Sequence, residues 1–285
     1  MRRLLLAAIL GLGLLGGRPA GAAEPADRYF TTSDGIRLHY LEQGTGRTIV
    51  MVPGWTMPAW IFSAQIADFA RFWHVVALDP RAQGESEIAP DGYEPYRRGR
   101  DIEELLEHLG ERDALLLGWS LGVLDVLSCV HQFGDGRIAG LVLIDNSVGE
   151  EPAPGPARPG PRRARRVPRD VAMRSFVRGM FRVPPPPGYV DRLTEAALRT
   201  PPDAAAELLA YPVPRTFWRE AVYSTTKPVL YVVTPRLSGQ AANLGAHDPN
   251  AETVVFRHVG HAMFVDDPAG FDALVTAFIR HRLWP

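Results

Sequence analysis

The feature that most constrains this chain is Gly118-Trp119-Ser120-Leu121-Gly122, placed directly after the apolar run Ala114-Leu115-Leu116-Leu117. A Gly-x-Ser-x-Gly between a strand and a helix describes a sharp turn that raises the serine hydroxyl above the carboxyl edge of a sheet. Such a turn presses two backbones together, so positions 118 and 122 call for residues without a Cβ. A chain that obeys this pattern must supply a parallel sheet, a helix starting near Leu121, and chemical partners for Ser120, the candidate nucleophile.

The remaining apolar runs supply the sheet. They fall at Thr48 to Val52, His74 to Leu78, Ile138 to Ile144, Pro228 to Val233 and Thr253 to Phe256. Helical patterns separate them, as in Asp101 to Leu109, where Ile102, Leu105, Leu106 and Leu109 share one face. This alternation predicts an α/β fold with a mostly parallel central sheet flanked by helices. Tyr29 to Thr32 and Ile36 to Leu41, around Ser33-Asp34-Gly35, predict a hairpin at the sheet edge.

The alternation stops at Gly149 and resumes at Lys227. Glu150 to Asp170 is crowded with Pro and Arg, and Met173, Phe176, Val177, Met180 and Phe181 then recur at helical spacing. These boundaries divide the chain into a leader at 1–23, a core at 24–148 and 227–285, and a helical cap inserted at 149–226. Arg158, Arg162, Arg163, Arg165, Arg166 and Arg169 read as a solvated charge run. In the leader, Arg2 and Arg3 precede the apolar Leu4 to Leu15 and the small residues Ala20-Gly21-Ala22-Ala23, the three parts of an export signal. A periplasmic or secreted protein is the expectation. No later segment approaches the roughly 20 apolar residues of a bilayer-spanning helix.

The formal charge is −1, and three arginines lie in the leader, so the mature chain would carry −4; no nucleic-acid partner is expected. Cys129 is the only cysteine, which excludes an intrachain disulfide and leaves a thiol buried among Val126, Leu127 and Val130. Nothing calls for a cofactor or a metal, since His258 and His261 lack the further ligands a zinc site requires. Asp125, among apolar neighbours, is expected to be hydrogen bonded or to lie on the helix surface. Oligomeric state is not legible.

A serine hydroxyl is a poor nucleophile without a base, and the base must be held by a third group. His39 and His74 fall in strand patterns, His108 and His131 in or near helices, and His258 at a strand end. His261, in Val259-Gly260-His261-Ala262-Met263-Phe264, follows the last predicted strand and is the candidate base. Trp119, Met263 and Phe264 adjoin these residues and are expected to wall the pocket, beside Trp55 and Leu121.

Val52-Pro53-Gly54-Trp55, the turn at Ser120, Asp79-Pro80-Arg81-Ala82-Gln83-Gly84-Glu85-Ser86 and Gly260-His261 together resemble the α/β-hydrolase superfamily, from roughly Tyr29 to the C-terminus. The sequence is most similar to small serine carboxylesterases and cofactor-free haloperoxidases, and the turn also resembles that of pimeloyl-carrier-protein methyl esterases. The resemblance implies a serine hydrolase acting on small-molecule carboxylic esters or lactones through an acyl-enzyme. Perhydrolysis is the enzymatic alternative, and a small-ligand binding protein with little turnover is the non-enzymatic one. It further implies an oxyanion hole at the amides of Trp55 and Leu121. Two positions depart from the family. Pro53 stands where a histidine is usual, and Thr234-Pro235-Arg236-Leu237-Ser238 carries no carboxylate where the triad acid is usual. Some members place the acid after the neighbouring strand, which here ends in Asp145; this keeps the chain order Ser, Asp, His. Asp248 is the fallback.

Overall fold

The computed structural model describes residues 24–153 and 167–284, so the leader and all the clustered arginines except Arg169 lie outside it. Eight strands form one sheet: β1 (Ala26–Thr31), β2 (Arg37–Gln43), β3 (Thr48–Val52), β4 (His74–Leu78), β5 (Ala114–Trp119), β6 (Ile138–Ile144), β7 (Val229–Val233) and β8 (Ala251–Val255). Their order is β1-β2-β4-β3-β5-β6-β7-β8. Strand β2 runs antiparallel to both its neighbours, β1 and β4, and β3 to β8 pair in parallel. The expected edge hairpin is present, with β2 continuing to Gln43 because its last four residues pair with β4.

The helices are α1 (Ser63–Phe69), α2 (Pro95–Leu109), α3 (Leu121–Phe133), α4 (Arg169–Gly179), α5 (Tyr189–Arg199), α6 (Pro202–Glu207), α7 (Arg215–Ser224), α8 (Ser238–His247), α9 (Met263–Asp266) and α10 (Pro268–Phe278). Strands β3, β5, β6 and β7 are buried throughout, as a parallel sheet covered on both faces demands. Alternate residues feed two cores. Val50, Leu116 and Leu143 pack with α2, α3, α7 and α8, while Met51, Leu117 and Ile144 pack with α1, α4, α5 and α10. Among the described residues no helix is long and apolar enough to cross a membrane.

Helix α2 begins six residues before the apolar period at Asp101. Its first turns are chosen for contact: Pro95 occupies the first turn, where its missing N–H is harmless, and a Cβ on Gly99 would stand 2.7 Å from the Cys129 amide on α3. Cys129 is fully buried, and burial pushes its thiol up, consistent with an inert packing role.

Between β6 and β7 the described chain carries α4 to α7. The first three lie over the carboxyl edge of the sheet, whereas α7 packs Phe217, Trp218, Ala221 and Val222 into the core beside α3. Arg169 donates to the carbonyls of Leu198 and Thr200, which ties the start of α4 to the end of α5.

One buried carboxyl yields a stability prediction. Asp272 on α10 accepts a 2.9 Å bond from Gln65 on α1, and burial pushes it up to about 6 against that bond. Its folded-state value exceeds its unfolded one, so its stabilising contribution is complete below about pH 4 and is lost as pH rises through 6. Asp272→Asn should therefore raise the unfolding free energy by about 1–2 kcal/mol at pH 8 and by almost nothing at pH 4. Denaturant titrations at the two pH values test this; an equal effect at both would refute the assignment.

Candidate active site

Parallel strands β3 and β5 are neighbours in the sheet, and the chain runs outward from them in opposite directions, which opens a crevice at their carboxyl ends. Ser120, between β5 and α3, adopts φ 54°, ψ −119°, outside the usual regions for a residue with a side chain. Such a conformation persists only where the surroundings impose it. Here they do: a Cβ on Gly118 would lie 2.4 Å from the Gly122 carbonyl, and one on Gly122 would lie 2.2 Å from the Val52 carbonyl. The two glycines let strand, turn and helix close on one another and lift Ser120 over the sheet.

Ser120 Oγ stands 2.8 Å from His261 Nε2, and His261 Nδ1 stands 2.8 Å from Asp145 Oδ2. Asp145 follows β6 and His261 follows β8, so three loops meet at one point. The other carboxylate oxygen, Asp145 Oδ1, accepts both the amide and the hydroxyl of Thr234, each at 2.8 Å. Burial pushes the Asp145 carboxyl up, but the His261 hydrogen bond and charge with the two Thr234 donors outweigh it and hold the carboxyl below the usual carboxylate range. Asp145 is 2 % exposed, so its charge acts with little screening. A surface cavity of about 520 Å³ opens against Asp145, Thr234, Arg236 and His261.

The loop after β3 lies against the turn: a Cβ on Gly54 would stand 2.9 Å from Ser120 Cβ. The loop carries Trp55, and Leu121 opens α3, so both proposed oxyanion amides belong to segments that flank Ser120. Gln83, 1 % exposed, holds this loop from beneath. Its Oε1 accepts the Thr56 amide at 2.6 Å, and its Nε2 donates to the carbonyls of Gly54 and Met57 at 3.2 and 3.3 Å. Thr56 has φ 60°, and Gln83 receives the amide that this left-handed residue turns inward. Sequence reasoning missed the role of Gln83; its only signal was membership of the Asp79 to Ser86 motif. Asn146 was also missed: its Nδ2 donates to the Ser120 carbonyl at 2.8 Å, and Tyr231 Oη donates to the Asn146 carbonyl at 2.7 Å.

Three expected pocket walls are packing residues instead. Trp119, Met263 and Phe264 are each 0 % exposed. Trp119 points to the opposite face of the sheet from its neighbour Gly118, donates its indole N–H to the His261 carbonyl at 2.9 Å and packs its ring 5.2 Å from the imidazole. Phe264 lies behind it, in contact with Phe62, Trp119 and Phe271. The three support the histidine loop from below. Asp248, the fallback acid, precedes β8 while His261 follows it; its Oδ1 caps the Asn250 amide at the far end of the strand. Asp125 is buried and pairs with Arg98, with 3.0 Å between Oδ1 and Nε.

The fold is an open, mostly parallel sheet with helices on both faces and a Ser-His-Asp constellation at the carboxyl ends of its strands. The chain belongs to the alpha/beta hydrolase family, whose model matches residues 49–274. A non-heme haloperoxidase of Rhodococcus erythropolis is 32% identical over 117 residues, 41% of this chain and 43% of that protein. The aligned stretch thus spans less than half the length of this curated relative. Among solved structures, an esterase from Rhodococcus sp. ECU1013 superposes with a TM-score of 0.72 at 25% identity, covering 90% of this chain and 99% of that one. A bromoperoxidase from Bacillus anthracis superposes with a TM-score of 0.77 at 18% identity, covering 90% and 100%.

Proposed function

We propose that this protein is an exported serine hydrolase of small carboxylic esters or lactones, with Ser120 as nucleophile, His261 as base and Asp145 as orienting acid. The observation that carries the reading is the continuous chain from Ser120 Oγ through the imidazole to Asp145, with 2.8 Å at each link. In the first step Oγ attacks the acyl carbon as His261 Nε2 takes its proton. The amides of Trp55 and Leu121 receive the developing oxyanion, and a single such donor contributes about 3–4 kcal/mol. Collapse expels the alkoxide, which takes the proton back from His261, and water then releases the acid by the same route. Asp145 stays ionised throughout and stabilises the imidazolium.

The likeness to an esterase over 90% of this chain supports this reading, and the composition of residues 1–23 supports export. The test is hydrolysis of 4-nitrophenyl esters from acetyl to dodecanoyl by the chain starting at Glu24, beside Ser120→Ala. A loss of about 10⁵-fold or more in the variant is expected. Folded wild-type protein with no Ser120-dependent turnover would remove the esterase reading. The haloperoxidase relative favours a second activity at the same acyl-enzyme, in which peroxide replaces water. Peracid formation from acetate and hydrogen peroxide, absent in Ser120→Ala, tests it.

A further inference from the structure

Trp55 carries one of the two amides assigned above to the oxyanion, yet its side chain belongs to a different part of the molecule. The indole N–H donates a 2.7 Å bond to the carbonyl of Ala205 in α6. Its ring meets the ring of Phe176 in α4 edge to face, with centroids 5.1 Å apart and planes at 82°. One side chain on the loop after β3 therefore grips two separate helices of the segment inserted between β6 and β7. The same segment is tied to the histidine loop. The Ala262 amide donates to the Met180 carbonyl at 3.0 Å, and Asp266 Oδ2 accepts the amides of both Gly260 and Arg182, at 2.6 and 2.8 Å.

Beneath the loop, Gln83 bonds the backbone of Gly54, Thr56 and Met57, the Met57 amide donates to the Gly54 carbonyl at 3.1 Å, and Thr56 Oγ1 donates to the Trp55 carbonyl at 2.7 Å. The loop is thus held on the core side through its backbone and on the helical side through the Trp55 indole. We infer that the Trp55 side chain is a positioning residue that couples the seat of α4 and α6 to the geometry of the oxyanion loop, so that the amide is correctly aimed only when these helices are seated. The inference rests on the esterase reading for its catalytic consequence, but the coupling itself is a property of the fold.

Trp55→Phe keeps the ring contact with Phe176 and deletes the N–H, so it isolates the bond to Ala205. Phe176→Ala deletes the other contact at a residue 41% exposed, where folding is not at stake. Hydrogen exchange followed by mass spectrometry reads the coupling directly. In Trp55→Phe, peptides covering 203–210 and those covering 54–57 should both exchange roughly fivefold faster or more, with Phe176→Ala moving the same peptides to a smaller extent. In ester hydrolysis, kcat should fall about tenfold with KM within about twofold, since an amide aimed wrongly weakens the transition state more than the bound ester.

A purely structural indole would lower Tm and loosen 203–210 while leaving the exchange of 54–57 and the ratio of kcat to KM unchanged, and that outcome in both variants overturns the inference. If wild-type protein shows no Ser120-dependent hydrolysis, the esterase reading fails, and the exchange of 54–57 still decides the coupling.

Discussion

Asp145→Asn should reduce kcat/KM for an activated ester by about four orders of magnitude while leaving the fold intact. The size of the effect follows from Thr234. Its amide and hydroxyl both donate to Asp145 Oδ1, so an asparagine at 145 must present its carbonyl oxygen to Thr234 and its NH₂ to His261 Nδ1. That donor obliges Nδ1 to accept, which places the ring proton on Nε2, the atom that must take the proton from Ser120. The histidine is then held in the tautomer that cannot act as base. Single-turnover hydrolysis with burst detection checks this: acylation should fail. A loss below tenfold would exclude Asp145 as the orienting acid.

Arg98→Met should lower the unfolding free energy by about 3–5 kcal/mol. Arg98 lies on α2 and is 2 % exposed; its Nε stands 3.0 Å from Asp125 Oδ1, and its Nη1 donates to the Leu208 carbonyl just after α6 at 2.9 Å. Neither Arg98 Nε nor Asp125 Oδ1 makes an aligned hydrogen bond, so the pair is held by charge more than by geometry. Burial pushes the Asp125 carboxyl up to about 6, against the pull of Arg98 and with a further push from Asp101. Removing the guanidinium leaves that carboxylate without a counter-charge and the Leu208 carbonyl without its donor.

The sign of the pH dependence follows from the raised carboxyl. Its contribution to stability is complete below about pH 4 and is lost as pH rises through 6. Without Arg98 the ionised form is disfavoured further, so the variant should be more damaging at pH 8 than at pH 5. Replacing both partners, Arg98→Met with Asp125→Leu, should recover most of the loss, because an apolar pair needs no compensation. Denaturant unfolding of wild type, single and double variants at the two pH values measures all three terms. A single-variant effect below about 1 kcal/mol at both would show that the pair is dispensable.

What could be read from the sequence was what is local. The glycines at 118 and 122 and the serine between them are constrained by contacts within one strand-turn-helix unit, and the strands of the sheet announce themselves as short apolar runs because both faces are buried. His261 was legible because it follows the last strand, and a parallel sheet sends every such loop to the same edge. The tertiary structure decided what depends on side-by-side placement. Asp145 rather than Asp248 faces the imidazole because the carboxyl ends of β6 and β8 flank β7, whereas Asp248 lies at the amino end of β8. Alternation along β5 sends Trp119 beneath the histidine loop, although it adjoins Ser120 in sequence. Gln83 and the indole of Trp55 act on backbone groups, and Thr234 on the Asp145 carboxylate, each 26 or more residues away in the chain. No periodicity records a hydrogen bond of that kind, because its partner is chosen by the packing of the sheet and not by the neighbours in sequence.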